Sequence, residues 1–178
     1  MEDISLHILD IVENSIRADA KCISMIIEQD RVNDLLRVEV ADDGRGMDPG
    51  TLAKVRDPFF TTKHKKTGLG IPLLTQAAEQ TGGSLVIESA LGVGTKVLVI
   101  FGLSHMDRPV IGNMAETLIA LIAGHPDRDY IYEERDGGHS FRFDTRELKI
   151  ELEGVPINEP AALAAIRGML QDEIKLRQ

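Results

Sequence analysis

A strand that ends in an acid and then meets two closely spaced glycines has few ways to continue. Leu36-Arg-Val-Glu-Val-Ala41 alternates β-branched and polar residues and reads as a strand, and Asp42-Asp43-Gly44-Arg45-Gly46-Met47 follows it directly. Glycines one residue apart let the backbone turn sharply and close on a flat ligand, while the acid at the strand end presents a carboxylate to a ring amine. Such a turn also occurs where no ligand binds, so its meaning depends on its company: Asn14 upstream and Gly68-Leu69-Gly70 downstream.

Upstream, Ser5 to Ala18 carries Leu6, Leu9, Ile11, Val12 and Ile16 as the apolar stripe of a helix. Spacings of four and three residues set Asp10, Asn14 and Arg17 along one edge of it. A solvated face would account for them. An asparagine amide oxygen also suits magnesium, and an acid, a neutral oxygen and a cation on one edge suit the handling of phosphates.

Downstream, Asp48-Pro49-Gly50-Thr51 opens a short helix, with Pro49 at an early helical position. Asp57-Pro-Phe59-Phe60 reads as a hydrophobic anchor, after which Lys63 to Gly70 is basic and glycine-rich and runs into an apolar helix from Ile71 to Gln80. A glycine-rich loop that delivers its N–H groups at a helix N-terminus is a ready anion site, so the phosphates are expected there. Gly82 to Ser89 and Lys96 to Phe101 read as strands joined by the turn Gly92-Val-Gly-Thr95.

Composition narrows the function classes. The formal charge is −9, which argues against a nucleic-acid surface, since phosphate backbones are bound by clustered Lys and Arg. The single cysteine, Cys22, permits no internal disulfide and is expected in the core. Glu2 and Asp3 stand where a signal peptide would be basic, and no apolar run approaches the roughly 18 residues of a membrane span, so the expectation is a cytoplasmic protein with no membrane contact.

These segments in their order resemble the ATP-binding domain of the gyrase, heat-shock chaperone, histidine kinase and mismatch-repair ATPase superfamily (GHKL), over residues 1 to about 103. The N box is similar to Asp10-Ile-Val-Glu-Asn14-Ser-Ile-Arg17, the G1 box to Asp42-Asp-Gly-Arg-Gly46, and the F box to Asp57-Pro-Phe-Phe60. The G2 box is similar to Thr67-Gly-Leu-Gly70, and the last glycine box to Gly92-Val-Gly-Thr95. The resemblance implies an α/β (α+β) two-layer sandwich of the Bergerat type, with helices on one face of a mixed sheet. It also implies ATP and Mg2+ as cofactors. Asn14 would then bind magnesium, and Arg17 would reach the phosphates. Asp42 would take the adenine amine, Gly44, Gly46 and Met47 would let the backbone close on the base, and Thr95 would support that end. Thr67, Gly68, Leu69 and Gly70 would cradle phosphates under a lid that includes Lys63.

Two departures from the family pattern bear on chemistry. Four residues before the metal asparagine, hydrolysing members carry glutamate as the base and typical histidine kinases carry asparagine; here the residue is Asp10. Aspartate keeps the base chemistry but is shorter by one methylene, about 1.5 Å, so slow hydrolysis is expected if any occurs. The second is that no helical hairpin with a phosphoacceptor histidine is expected ahead of Met1. His7 lies within the helix and reads as a packing or surface residue.

Residues 105–178 match no box and read as a small α-β-β-α-α extension: a helix from Asn113 to about Gly124, a hairpin from Asp129 to Phe143, a short helix after Asp144 and a last helix after Pro160. Its attachment to residues 1–103 stays open at this level. The expected function is ATP-Mg binding, with use as a regulatory protein kinase acting in trans on a protein partner or phosphoacceptor. An ATP-gated interaction module and a slow hydrolase are the alternatives.

Overall fold

The computed structural model describes residues 3–55 and 70–175. The expected site residues Lys63, Thr67, Gly68 and Leu69, and the anchor Phe59-Phe60, lie outside the described residues.

Asp3 caps the first helix, α1 (Ile4–Arg17), by accepting from Leu6 N at 3.0 Å. Ile4, Ile8, Ile11 and Val12 fall on one face at helical spacing and are buried, together with Ser5, His7 and Ser15. This corrects the expected stripe. Leu6 is 46% exposed, because two residues, or about 200° of turn, separate it from both Ile4 and Ile8.

The chain continues through β1 (Cys22–Asp30), β2 (Leu35–Asp42), α2 (Pro49–Val55), α3 (Gly70–Gln80), β3 (Ser84–Ala90) and β4 (Gly94–Gly102). After these come α4 (Met114–Gly124), β5 (Asp129–Asp136), β6 (His139–Asp144), α5 (Thr145–Glu151) and α6 (Pro160–Lys175). The strands form one six-stranded sheet in the order β3-β4-β2-β1-β5-β6. It is mixed: β1 and β5 run parallel and the other neighbours antiparallel.

Period-two alternation decides which side chains face the helices. Ile23, Met25 and Ile27 of β1 are buried, as are Val38 and Val40 of β2, Val97, Val99 and Phe101 of β4, and Tyr130 and Tyr132 of β5. They share one core with Leu74 of α3, Leu118 of α4 and Leu170 of α6, each such side chain contributing about 1.5–3 kcal/mol by leaving water. This is the expected two-layer α/β sandwich. Cys22, expected in the core, instead falls on the opposite, half-buried face, because the same alternation turns Ile23 inward. Partial burial pushes its thiol pKa up, and the Arg146 charge opposes that rise.

The α-β-β-α-α order read for residues 105–178 is present, and its hairpin extends the sheet. β5 lies directly beside β1, in register from Cys22↔Asp129 to Gln29↔Asp136. The connection from β4 to α4 also reaches back to α1, where Val110 O and Ile111 O accept from Ile4 N and Ser5 N at 2.9 and 2.8 Å. Two of the helix's unpaired first-turn amides are satisfied in this way. α1 thereby touches both α3 and α4. Among the described residues no helix is long and apolar enough to cross a membrane.

Candidate functional site

The site is built along α1, whose rise of about 1.5 Å per residue separates Ser15 from Asp10 by about 7.5 Å. At the Ser15 end, Asp42 closes β2 and its carboxylate is held from three directions. Oδ1 accepts from Gly44 N at 2.8 Å and Thr95 N at 3.3 Å, and Oδ2 accepts from Ser15 Oγ at 2.5 Å. The next acid does different work. Asp43 Oδ1 accepts from Lys21 N and Cys22 N at 2.7 and 3.0 Å, which ties the turn to the start of β1.

The glycines are required by close backbone approach. Gly46 has φ +67°, and a Cβ there would stand 1.9 Å from Ala90 O. Gly94 has φ +129°, and its Cβ would stand 1.9 Å from Asp42 O. Any side chain at either position would drive the β3–β4 hairpin away from the end of β2. The hairpin adds a polar joint as well: Ser89 Oγ accepts from Met47 N at 2.9 Å, donates to Gly94 O at 3.0 Å and lies 2.9 Å from Thr95 Oγ1. Arg45 reaches the last turn of α1, donating through Nη2 to Arg17 O, where a cation also suits the helix dipole.

On the other, exposed side of α1, Asp10, Asn14 and Arg17 line the expected edge. Arg17 Nη1 donates to Asn14 Oδ1 at 3.0 Å. Gly70 begins α3 beside Asp10, so that a Cβ on it would lie 3.4 Å from Asp10 Oδ2. The fold thus sets Asp10, Asn14 and Arg17 along the exposed edge of α1, with Gly70 beside Asp10, and gathers Asp42, Gly44, Gly46, Met47 and Thr95 about the buried Ser15 face. Glu13, adjacent to Asn14 in sequence, turns away and meets His125 Nε2 of the α4 C-cap at 3.3 Å.

These residues suit the groups that the resemblance implies. Asn14 Oδ1 is a hard, neutral oxygen donor at an exposed position, which suits magnesium, and the exposed Asp10 carboxylate stands one helical turn from it. A carboxylate held at a strand end beside a glycine-containing turn can accept an amine from a flat base. The N-terminus of α3 at Gly70 offers amide groups to anions.

Sequence reading missed Ser15, Ser89, Arg45 and Asp43. For Ser15 a signal existed: with Ile8, Ile11 and Val12 it completes the buried face of α1, and a hydroxyl on an apolar stripe needs a partner. For Ser89 none did, since its role depends on how the hairpin folds over Met47.

Residues 2–105 match the family model described as "Histidine kinase-, DNA gyrase B-, and HSP90-like ATPase". Sporulation kinase C of Bacillus subtilis is 33% identical over 95 residues, which cover 53% of this chain and 22% of that protein. Sensor protein kinase FleS of Pseudomonas aeruginosa is 40% identical over 96 residues, covering 54% of this chain and 24% of that protein. Sensor histidine kinase ZraS of Klebsiella oxytoca is 42% identical over 59 residues, covering 33% and 13%. The matched segment therefore spans less than a quarter of the length of each of these relatives.

Proposed function

The chain belongs to the histidine kinase-, DNA gyrase B-, and HSP90-like ATPase family through residues 2–105, and from that premise we propose that it binds ATP with magnesium and acts as a regulatory protein kinase on a partner supplied in trans. The observation that carries this reading is the convergence along one helix: Gly70 beside Asp10, Asn14 one turn on, and Asp42 bonded to Ser15. Residues 1–103 form the nucleotide-binding unit in this reading, and residues 105–178 extend its sheet through β5. A cytoplasmic setting, where ATP is at hand, belongs to the same proposal.

Each residue then has a task. Asp42 accepts the amine of the base, with Gly44, Gly46, Met47 and Thr95 shaping that wall. Asn14 offers its amide oxygen to magnesium, which when bound offsets phosphate charge and aligns the reacting group. Arg17 exchanges Asn14 Oδ1 for a phosphate oxygen. Lys63, Thr67, Gly68, Leu69 and Gly70 are assigned to the phosphates. Asp10 takes the proton that the partner's nucleophile gives up as that nucleophile bonds to the γ-phosphorus and ADP leaves.

Transfer is preferred because the similar proteins are sensor and sporulation kinases. Slow hydrolysis is the second reading, favoured by one feature: Asp10 places a carboxylate, exposed to water, where a base can act. Calorimetry with ATP should show heat of binding that EDTA removes; equal heats with and without EDTA would take Asn14 out of its metal role. Labelled ATP, with and without cell lysate, separates the uses. Labelled protein supports the kinase and free phosphate the hydrolase, while binding with neither supports an ATP-gated interaction module.

A further inference from the structure

Ser15 is the one hydroxyl that α1 directs onto the Asp42 carboxylate, and the bond count at that carboxylate gives it a definite role. An ionised carboxylate offers about four lone-pair sites. Oδ1 uses both of its sites on Gly44 N (2.8 Å) and Thr95 N (3.3 Å), and Oδ2 uses one on Ser15 Oγ (2.5 Å). Counting the donors among the described residues, one acceptor site is left, on Oδ2. The two backbone donors hold only Oδ1, and among the described residues Ser15 is the donor that holds Oδ2.

The serine itself is well held. It is 4% exposed, and its other contact is Ile11 O at 3.2 Å, one turn back along the helix. A hydroxyl carries one proton, and the charged acceptor at 2.5 Å is both nearer and stronger than the neutral one at 3.2 Å. We propose that Ser15 is a positioning residue for base selection: by occupying one site of Asp42 Oδ2 it aims the last acceptor at an exocyclic amine and leaves none for a second donor. The ligand class this favours is a purine nucleotide with an amine at position 6. A 6-keto purine would set its oxygen against the carboxylate, and a purine with hydrogen at position 6 would leave the aimed acceptor unpaired.

This inference rests on the nucleotide reading above, and its test keeps the two apart. The wild type and Ser15→Ala are titrated calorimetrically with ATP and with purine riboside triphosphate, which lacks the 6-amine, and folding of both is followed by thermal melting. The wild type should prefer ATP by about tenfold or more, the margin of a hydrogen bond to a charged acceptor. In Ser15→Ala the ATP affinity should fall by about 3- to 10-fold while purine riboside triphosphate stays within about twofold, so the preference shrinks. Equal losses for both ligands would make Ser15 a purely structural residue, and an unchanged preference would remove it from base selection. If the alanine variant does not fold, Ser15→Cys keeps the volume with only a weak donor, and the same two ligands decide by the same outcomes. A wild type that binds neither nucleotide overturns the nucleotide reading and this inference with it.

Discussion

At the Ser15 end of α1, three donors converge on Asp42, two glycines admit no side chain, and Ser89 joins the turn to the hairpin. Along the exposed edge of the same helix, Asp10, Asn14 and Arg17 face outward, and Asn14 is held by the cation beside it. Both the buried Ser15 face and the exposed edge belong to the same helix, so the difference does not come from the scaffold. In the proposed reading the base end is built before the ligand arrives, and a flat, neutral ring would enter it with little rearrangement. In the same reading the exposed edge rearranges with its ligand, because Arg17 would leave Asn14 Oδ1 for a phosphate oxygen. Binding at the first end should therefore report on affinity, and substitutions at the second on chemistry.

The sharpest way to break that contrast is Asp10→Asn. The carboxylate is lost with its size kept, at a position that bonds to none of the base-end groups. Turnover or transfer should drop by about 10²–10⁴-fold, the usual share of a general base, while the ATP binding constant stays within about twofold. Single-turnover transfer and calorimetry on the same preparation measure both quantities. Unchanged turnover would show that Asp10 is not the base, and a large loss of affinity would show that the two ends are not separate.

Asp42→Asn is the mirror experiment, with a smaller effect of the opposite kind. Replacing the charged acceptor should weaken ATP binding by about 1.5–3 kcal/mol, and turnover at saturating ATP should stay close to that of the wild type. An amide at position 42 would also set an N–H against one of the donors from Gly44, Thr95 or Ser15. Calorimetry that finds wild-type affinity would remove the base assignment and the contrast along with it.

The two ends also differed in how legible they were. Asp10, Asn14 and Arg17 could be placed on one edge from helical spacing alone, because a helix converts sequence distance into direction without outside help. Asp42, Gly44 and Gly46 could be marked by strand, acid and glycine. What they touch was hidden, since Thr95 N reaches Asp42 and Ser89 reaches Met47 only after β4 has paired with β2. The same limit explains the other departures. Cys22 sits in a strand whose apolar residues fall on both faces, so only the sheet decides which row is buried. The place of residues 105–178 depended on a parallel pairing of β5 with β1 across more than a hundred residues of chain, and no local signal marks such a pairing.

Glu13→Gln should have the smallest effect, and it tests whether the metal site has been put on the correct side of α1. Glu13 is the residue next to Asn14, yet one residue is about 100° of helix, and its Oε1 lies 3.3 Å from His125 Nε2 on α4. Both side chains are 34% exposed, so water screens the pair and its worth is about 0.2–1 kcal/mol. A melting temperature lowered by no more than about 4 °C is expected for a chain of this size, and His125→Gln should lower it by a similar amount, since either change removes the same contact. ATP affinity, and its loss on adding EDTA, should be those of the wild type. If Glu13→Gln instead made ATP binding insensitive to EDTA, the metal would lie on the α4 side of α1. Asn14 would then lose its metal role, and the exposed edge would be only a solvated helix face.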